Sequence, residues 1–404
     1  METSRLAIDG GRPLRAEPYP TWPHWDEREE AVILDVLRSG EWWAVGGSHV
    51  QRFEAEFAAA HEAEYGVAVT NGSAALEICL MAAGIDWGDE VITSPYTFIA
   101  TASSCLLVGA VPRFVDVLPD TWNLDPPQVE AAITPRTKAI IAVHLGGEPA
   151  DMDALRDIAR RHGVLLIEDA CQAHGASWCG RRVGALGDMG CFSFQASKNI
   201  TGGEGGMILT NDDRWYERCW SVHNVGRQRE GQWYGHVALA SNYRLSEWAG
   251  AVLRVQLTRL NDQAERRARN GAFLADALAE VPGLSAVPGD ARVTRNAYHL
   301  FKMWYEPSFF AGRDKAAFAQ AMQREGIPVS VGYPRPLSQE PVIRNRAAVI
   351  ADRLGLEAPT EEHCPVTEDV CARGLWLPQN VLLGTQADAE DVVRAALKVQ
   401  RAWA

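Results

Sequence analysis

The segment CFSFQASKNITGGEGGMILT, from Cys191 to Thr210, is the most informative part of the chain. Its first residues are apolar and predict a buried strand, and Lys198 follows just before a cluster of glycines. A lysine in that position can be held inside a site rather than in bulk water. Desolvation there would make the amine a better nucleophile, and the amine could then form a covalent bond with a carbonyl group. Lys198 is therefore the first candidate catalytic residue, and the alternative is a surface lysine beside a loop.

The second informative segment lies upstream, in VLLIEDACQAHGA from Val164 to Ala176. Its short apolar run predicts a buried strand that places Asp169 at its carboxyl end, where open α/β sheets bind ligands. A carboxylate there can keep a proton on the ring nitrogen of a cofactor such as pyridoxal phosphate, which accepts electrons in that state. Asp169 is the candidate for this role, and a strand-end cap is the alternative.

The third segment is TNGSAALEICLMAAG, from Thr70 to Gly84, in which Gly72 and Ser73 precede a stretch of good helix formers. Free backbone N–H groups and the helix dipole at such a position bind anions and suit a phosphate group. The alternative is that Ser73 is an ordinary N-cap.

Together and in this order, these segments resemble the DegT/DnrJ/EryC1/StrS family, the pyridoxal-phosphate sugar and cyclitol aminotransferases of the fold-type I class. The resemblance runs from Gly10 to the WLPQN segment at Trp376. It implies an α/β fold whose large domain has a mostly parallel sheet flanked by helices. It also implies pyridoxal 5′-phosphate as the cofactor, with pyridoxamine phosphate as its aminated form, and a homodimer with shared active sites.

The resemblance assigns four residues to the cofactor ring. Lys198 falls on the lysine that binds the cofactor covalently, and Asp169 falls on the acid that faces the ring nitrogen. Gln172 occupies the position beside the ring hydroxyl. In SPYTFIA, Phe98 takes the position of the aromatic residue that stacks on the ring.

The resemblance assigns four further residues to the cofactor phosphate. Ser193 falls on a phosphate ligand, and Gly72 with Ser73 occupies the family's Gly-Thr phosphate turn, here with serine in place of threonine. The segment SNYRLSEWAGAVLRVQL contains Asn242 at the position of an asparagine that reaches the phosphate of the neighbouring subunit. Asn242 is therefore expected to act in the partner's site.

The substrate is less well defined by the sequence. SGEWWAVGG, with Trp42 and Trp43, is more similar to the branch of scyllo-inosose aminotransferases and 3-amino-5-hydroxybenzoate synthase than to the nucleotide-sugar members. The alternative is that this tryptophan pair belongs to the core or to the dimer interface. By resemblance, the amino donor is glutamine or glutamate. The acceptor is a polyhydroxylated ketone, a cyclitol or keto-sugar of aminoglycoside-type antibiotic biosynthesis, and the kinetics are ping-pong.

Three further residues are weaker candidates for the site. His299, in NAYHLF, either touches substrate or is a structural histidine. His144 ends the strand AIIAVHL and is expected to face the site. Arg244 either contacts a substrate anion across the dimer or pairs with a carboxylate.

Composition excludes several functional classes. The chain has 404 residues, 47% of them apolar, and a formal net charge of −13 without a block of lysine and arginine, which argues against nucleic-acid binding. It contains no apolar stretch that would span a bilayer and no signal-peptide pattern, so we expect a cytoplasmic enzyme with no membrane partner. The eight cysteines include no C-x-x-C pair, which favours reduced, buried thiols. His363 and Cys364 lack a second pair at ligand spacing, so no metal is expected.

Apolar runs and helical patterns alternate over the first two-thirds of the chain. A helix is predicted from Asp26 to Leu37, and the strand candidates are EVITSP, VPRFVDV, TKAIIAVHL and VLLIEDA, separated by helices such as DMDALRDIARRHG. This alternation predicts a largely parallel sheet covered on both faces. We place the large domain at residues 1–260 and a smaller carboxyl-terminal domain at 261–404. A helical pattern from Ser246 past Arg269 connects them, and LSAVPGDARVTRNAYHLFKMWY and IPVSVGYPRPL are predicted to supply the strands of the smaller domain.

Other functions are alternatives to this interpretation. Sugar dehydratases that resemble this family carry histidine at the lysine position, so Lys198 disfavours them. An aromatising synthase retains the lysine and remains open, as does a non-catalytic regulator that has kept the fold, although the intact residue set argues against the regulator. A nicotinamide-dependent oxidoreductase would need a glycine fingerprint near its first strand, and the sequence has none.

Overall fold

The structure, a computed structural model, describes residues 5–357 and 362–403. Its strands are β1 (Tyr65–Val69), β2 (Glu90–Thr93), β3 (Val111–Phe114), β4 (Thr137–Val143), β5 (Leu165–Asp169), β6 (Ser177–Trp178), β7 (Arg181–Arg182), β8 (Met189–Ser193), β9 (Gly206–Thr210), β10 (Leu284–Ala286), β11 (Val293–Arg295), β12 (Leu300–Tyr305) and β13 (Gly374–Pro378). Its α-helices are α1 (Glu27–Ser39), α2 (His49–Ala60), α3 (Gly72–Ala82), α4 (Ala100–Leu107), α5 (Pro126–Ala131), α6 (Met152–His162), α7 (Asp213–His223), α8 (Glu247–Leu257), α9 (Leu260–Ala277), α10 (Lys315–Arg324), α11 (Pro341–Arg353), α12 (Pro365–Arg373) and α13 (Gln386–Trp403). Short 3₁₀ helices lie at Ala7–Asp9, Leu145–Gly147, Leu278–Glu280, Pro307–Phe310, Leu337–Gln339 and Gln379–Leu383.

A seven-stranded sheet in the order β1-β9-β8-β5-β4-β2-β3 forms the centre of the fold. β3, β2, β4, β5 and β8 are mutually parallel, and β9 runs antiparallel to both of its neighbours. Strands such as β2, β8 and β9 are buried along their whole length, because helices cover both faces. The predicted α/β class with a mostly parallel sheet flanked by helices is confirmed.

The strand directions bring distant segments to one edge of this sheet. β1 is antiparallel to β9, so it points the same way as the parallel strands. The residues that follow β1, β2, β5 and β8 therefore meet at the carboxyl edge, together with the residues that precede β9. This is the edge at which open α/β sheets bind ligands.

Aromatic rings fill the core on one face of the sheet. Phe57 of α2 packs against Phe192 of β8 and against Phe194, with ring centroids 5.0 and 5.2 Å apart. Phe53 contacts Phe57 and Phe194 at 5.5 and 5.2 Å. These four rings are fully buried, so they tie α2 to the strand that precedes Lys198.

A second apolar cluster surrounds the antiparallel sheet β10-β12-β13. Tyr305 of β12 packs on Phe310 and Phe318 with ring centroids 4.8 and 5.0 Å apart. The N-terminal segment also joins this cluster through Leu6 and Tyr19. The two ends of the described chain therefore pack on the same core as α9, α10 and α13.

Two strand predictions for this region need correction. IPVSVGYPRPL does not form a strand, and only Ser330 makes an isolated bridge, to Trp376 of β13. Pro328, Pro334 and Pro336 interrupt the segment, and proline has no N–H to donate to a ladder. The third strand of the small sheet is β13 instead. From the other predicted segment, β11 pairs with β6 rather than with β10 or β12.

Helix boundaries follow the capping residues closely. The side chain of Asp26 forms a capping box with Glu29 at the start of α1, and Gly40 ends the helix with φ 73°. The single helical pattern predicted from Ser246 past Arg269 is two helices, α8 and α9, separated at Thr258–Arg259. Ser246 caps α8 by accepting a hydrogen bond from the Ala249 N–H.

The longest helices, α9 and α13, have 18 residues each. Both carry charged residues along one face and buried apolar residues along the other. Across residues 5–357 and 362–403, no helix combines the length and apolarity that crossing a lipid bilayer requires.

The eight cysteines all carry free thiols. Six are buried as expected, whereas Cys179 is exposed and Cys171 is half-buried. Burial raises the pKa of the Cys79 and Cys191 thiols. These two residues therefore stay protonated at neutral pH and act as small apolar packing groups.

Two adjacent leucines of α4 differ sharply in burial, so the same substitution at each position tests the packing of this helix. Leu106 is 5% exposed and packs between β3 and α11, whereas Leu107 is 68% exposed. Leu106→Ala is expected to lower the free energy of unfolding by about 2–5 kcal/mol because it removes buried methyl groups. Leu107→Ala is expected to change it by less than ~0.5 kcal/mol. Urea unfolding followed by fluorescence measures both, and equal losses would contradict this packing.

Candidate active site

A cavity of about 700 Å³ opens at the carboxyl edge of the large sheet. It is lined by site residues predicted from four separate segments of the sequence. These are Gly72, Ser73, Phe98, Asp169, Gln172, Ser193 and Lys198. The structure therefore brings together every site residue predicted for the chain's own cavity, and Asn242, predicted for the partner's cavity, does not line it.

Lys198 lies in the turn that follows β8, and its backbone N–H donates to the Gln195 carbonyl at 2.9 Å. Surrounding protein desolvates the amine, and this burial lowers the pKa of Lys198, while the nearby Asp169 carboxylate opposes the change. A larger fraction of the amine is then neutral near pH 7 than for a lysine in water. Only the neutral amine can attack a carbonyl or accept a proton.

Asp169 ends β5 and is 6% exposed. Its Oδ2 accepts a hydrogen bond from the Thr101 hydroxyl at 2.7 Å, and its Oδ1 accepts one from the Cys171 N–H at 3.3 Å. The carboxylate is therefore held from two sides at the wall of the cavity. Sequence reasoning did not include Thr101, which directly follows SPYTFIA, the segment assigned to the site through Phe98.

The start of α3 reaches the cavity, but Ser73 is not its N-cap. The N-cap is Asn71, whose side chain accepts a hydrogen bond from the Ala74 N–H at 2.8 Å. The Ser73 side chain therefore stays available at the cavity wall. The N-cap alternative for Ser73 is therefore wrong. Asparagine and serine are both common N-caps, so the sequence alone does not show which of Asn71 and Ser73 begins the helix.

Gly72 is required by a close approach of three segments. A Cβ atom there would lie 2.7 Å from the Ser193 Cβ and 2.8 Å from the Cys171 Sγ. Gly206 of β9 has a similar constraint, because its Cβ would lie 2.4 Å from the Asn71 carbonyl oxygen. Two glycines therefore let the start of α3 sit against β8 and β9, beside Lys198.

Gln172 has a fixed amide orientation. Its Oε1 accepts a hydrogen bond from the Gly146 N–H at 2.8 Å, so the NH₂ group is directed to the other side. There the side chain hydrogen-bonds with Tyr333, and burial raises the pKa of the Tyr333 phenol. Tyr333 lines the cavity and was missed from the sequence because its segment was interpreted as a strand.

Phe98 lies at the cavity wall with 57% of its surface exposed. Such exposure of a phenyl ring is unfavourable in water, and a flat ligand stacked on the ring would cover it. Ser193 is 8% exposed, and its carbonyl oxygen lies 2.8 Å from the Nε2 of His174. The backbone that carries Ser193 is thereby held in place next to the start of α3.

His144 does not face the cavity, contrary to the prediction. It is fully buried, its Nδ1 accepts a hydrogen bond from the Ala150 N–H at 3.0 Å, and its Nε2 lies 3.0 Å from Glu168 Oε2. Successive side chains of a strand point to opposite faces, so Glu168 points away from the side on which Asp169 meets the cavity. His144 contacts Glu168 on that opposite face and therefore has a structural role.

His299 lines the cavity and is also held by a structural contact. Its Nδ1 lies 3.3 Å from Asn199 Oδ1, and burial lowers the pKa of the imidazole. The ring is therefore neutral at pH 7. Tyr298, the preceding residue, has φ 46°, a left-handed conformation that is unusual for a bulky side chain and frequent near functional sites.

Trp42, Trp43, Arg244 and Asn242 lie outside this cavity. Trp42 and Trp43 are 52% and 45% exposed in the single chain, so the core alternative for this pair is wrong. Arg244 donates to Asn224 Oδ1 at 2.7 Å, and no ion pair joins it to a carboxylate among the described residues. Asn242 is exposed, and its Oδ1 accepts a hydrogen bond from the Arg244 N–H at 3.3 Å.

Comparisons with known proteins agree with this geometry. The model of the DegT/DnrJ/EryC1/StrS aminotransferase family matches residues 23–397. The L-glutamine:2-deoxy-scyllo-inosose aminotransferase of Streptoalloteichus tenebrarius is 38% identical over 98% of this chain and 97% of its own. The 3-amino-5-hydroxybenzoate synthase of Amycolatopsis mediterranei is 38% identical over 93% of this chain and 95% of its own. A crystal structure of 3-amino-5-hydroxybenzoic acid synthase aligns with a TM-score of 0.86 at 36% identity, covering 96% of this chain and 99% of that chain. The family predicted from the motifs is confirmed, and the chain belongs to the DegT/DnrJ/EryC1/StrS aminotransferase family.

Proposed function

We propose that this aminotransferase uses pyridoxal 5′-phosphate to move an amino group from glutamine or glutamate to a ketone of a cyclitol or keto-sugar. The observation that carries the proposal is the cavity in which the desolvated amine of Lys198 and the carboxylate of Asp169 share a wall with the start of α3. The relative named for L-glutamine and 2-deoxy-scyllo-inosose is 38% identical to this chain over nearly its full length, which supports the donor and acceptor classes.

The residues at the cavity fit this cofactor. Gly72, Ser73 and Ser193 would hold the phosphate, because a glycine-lined helix start and two hydroxyls suit an anion. Phe98 would stack on the ring and Gln172 would donate its NH₂ group to the ring hydroxyl. Each assignment rests on the position of the side chain at the cavity wall and on the family motif.

Pyridoxal phosphate, when bound, withdraws electrons from the substrate carbon that loses its proton and carries the amino group from donor to ketone. Lys198 would anchor it through Nζ. The same Nζ would also serve as the base that takes a proton from the reacting carbon of the substrate and as the acid that returns it. Desolvation supports this role because it lowers the pKa of the amine and leaves more of it able to accept a proton.

Asp169 would face the ring nitrogen and keep it protonated. The two hydrogen bonds that it accepts fix the carboxylate plane, and an ionised carboxylate stabilises a cation that lies against it. Lys198 and Asp169 would therefore have separate roles. The amine would transfer the proton, and the carboxylate would favour the protonated state of the ring nitrogen.

The acceptor would meet side chains from outside the large sheet. His299, Tyr333 and Trp376 line the same cavity, and they offer a neutral imidazole, a phenol and an indole. Polar groups of this kind hydrogen-bond the hydroxyls of a cyclitol, while the aromatic faces pack on its C–H groups. A second candidate is an aromatising synthase, favoured by the TM-score of 0.86 with 3-amino-5-hydroxybenzoic acid synthase.

We also propose a homodimer in which Asn242 acts in the partner's site. Asn242 is exposed and does not line its own cavity, although its neighbour Tyr243 does. Trp42, Trp43 and Trp233 are exposed on the same side, with Trp43 in contact with Trp233 and Arg244. A patch of exposed tryptophans suits an interface with a second copy of the chain.

Borohydride reduction tests the cofactor and its lysine. The purified protein is expected to show a visible absorption band that borohydride removes, with the label mapped to Lys198 by peptide analysis. Lys198→Ala is expected to lose the label and at least about 10³-fold in turnover while keeping its fold, because a single group provides both anchor and proton transfer. Lys302, which is buried in an ion pair with Glu148 at 2.8 Å, is the control lysine and should stay unlabelled. Wild-type turnover in Lys198→Ala would contradict the assignment.

Steady-state kinetics test the reaction type. With glutamine varied at several fixed concentrations of 2-deoxy-scyllo-inosose, double-reciprocal lines are expected to be parallel, because each half-reaction is complete before the next substrate binds. Mass spectrometry of the product separates the two candidates. An amino-cyclitol supports aminotransfer, whereas loss of water with formation of an aromatic ring, from a suitable amino-ketone acid, supports the synthase.

Mixed dimers test where Asn242 acts. Chains carrying Lys198→Ala are combined with chains carrying Asn242→Ala, each homodimer being weakly active. If Asn242 serves the partner, a mixed dimer contains one complete site, and random exchange should recover about a quarter of the wild-type activity. If Asn242 serves its own chain, no site in the mixture is complete and no recovery occurs.

A further inference from the structure

We infer that Thr101 and Thr97 form a hydroxyl relay that positions the Asp169 carboxylate toward the cofactor ring. The inference rests on the proposed use of pyridoxal phosphate and adds two positioning residues to it. No residue of this relay was indicated by the sequence motifs. All three side chains line the same cavity wall.

The distances define the relay. Thr101 Oγ1 donates to Asp169 Oδ2 at 2.7 Å, and the hydroxyl oxygens of Thr97 and Thr101 lie 3.1 Å apart. A hydroxyl has only one hydrogen. Because Thr101 uses its hydrogen on Asp169, Thr97 must be the donor in the contact between the two threonines. The chain of donors therefore runs from Thr97 through Thr101 to the carboxylate.

Burial makes these contacts strong. Thr97 and Thr101 are each 1% exposed and Asp169 is 6% exposed. Water cannot replace a hydroxyl that is lost from such a place, and a hydrogen bond to a charged group contributes more than one between neutral groups. Donors arranged in series also polarise one another. The ionised form of Asp169 gains from the relay, and this is the form that can hold a proton on the ring nitrogen.

A local structural role does not explain Thr101. Serine and threonine hydroxyls in helices usually bond to a backbone carbonyl three or four residues earlier. Ser104 does this in the same helix, donating to the Thr101 carbonyl at 3.2 Å. Thr101 instead directs its hydroxyl to a carboxylate 68 residues away in sequence. The hydroxyls of Thr101 and Ser104 therefore have different functions.

The relay also links Asp169 to Phe98. Thr101 donates its backbone N–H to the Phe98 carbonyl at 3.2 Å, so the residue expected to stack on the ring and the residue that holds the carboxylate share one turn. The ring face and the ring nitrogen are then fixed relative to each other by the segment that follows β2. A shift of this turn would move both contacts together.

The test uses Thr101→Val, which removes the donor and keeps the shape of the side chain. Protein loaded with ¹⁵N-labelled pyridoxal phosphate is examined by NMR, because the ring-nitrogen shift reports its protonation directly. We expect the shift in Thr101→Val to move toward that of the unprotonated ring, in the direction shown by the reference variant Asp169→Asn. Turnover should fall about 10- to 100-fold in kcat with little change in KM, as expected for loss of a hydrogen bond to a charged group.

Three variants separate the relay from packing. Thr101→Ser retains the hydroxyl and is expected to recover the wild-type shift and most of kcat. Thr97→Val removes only the outer donor. It is expected to change the nitrogen shift and kcat in the same direction as Thr101→Val does, but by a smaller amount. Ser104→Ala, which removes a buried hydroxyl from the same helix without contacting Asp169, should behave as wild type.

The outcomes are distinct. A wild-type nitrogen shift and kcat in Thr101→Val would overturn the relay, and so would an equal effect of Ser104→Ala, because the effect would then come from packing of α4. Failure of the wild-type protein to bind labelled pyridoxal phosphate would instead overturn the proposed function. If Thr101→Val does not fold, Thr97→Val and Thr101→Ser decide the question, since a relay requires a graded effect and its recovery.

Discussion

Desolvation of the Lys198 amine is the constraint on which the rest of the site depends. Burial lowers the pKa of the amine, whereas the nearby Asp169 carboxylate favours its charged form. Removing a cation from water is unfavourable, so burial shifts the protonation equilibrium of the amine toward its neutral form. The surrounding architecture serves that balance: β8 delivers Lys198, β9 returns beside it, and glycines at positions 72 and 206 let α3 close the same wall without a clash.

The last two residues of β5 point to opposite faces of the strand and have different roles. Glu168 points to one face, where it accepts hydrogen bonds from the Gly184, Leu186 and Gly187 N–H groups and contacts His144. Asp169, the next residue, reaches the cavity. Both carboxylates are buried, but the first is fully satisfied by the protein and fixes the loop before β8. The second retains an open side toward the cavity, and this difference makes it the one that can serve a ligand.

The sequence predicted the parts of the site that depend on local signals, and the rest required the tertiary structure. Strand ends are marked by short apolar runs, so Asp169 and the position of Lys198 after β8 followed from the pattern. His144 was predicted at the cavity because it also follows a strand, but periodicity alone does not say to which face a residue after the last ladder pair turns. Tyr333 was missed because its segment was predicted as a strand. Thr101 was missed because its contact with Asp169 joins segments far apart in the chain, and no local pattern encodes such a contact.

The segment from Ser94 to Thr101 connects the half of the cavity that we propose for the cofactor to the half that we propose for the substrate. Tyr96 in this segment is fully buried and packs its ring against Tyr333 and Trp376, with centroids 5.2 and 6.3 Å away. Gly332 is needed beside it, because a Cβ there would lie 2.6 Å from the Tyr96 hydroxyl. Since Phe98 and Thr101 follow in the same segment, the aromatic contacts that seat the small sheet also set the position of the stacking ring and of the donor to Asp169. Under the proposed function, a substrate that contacts Tyr333 and Trp376 would be placed relative to the cofactor by one continuous stretch of backbone, so walls from two different sheets could act on the same reacting atoms.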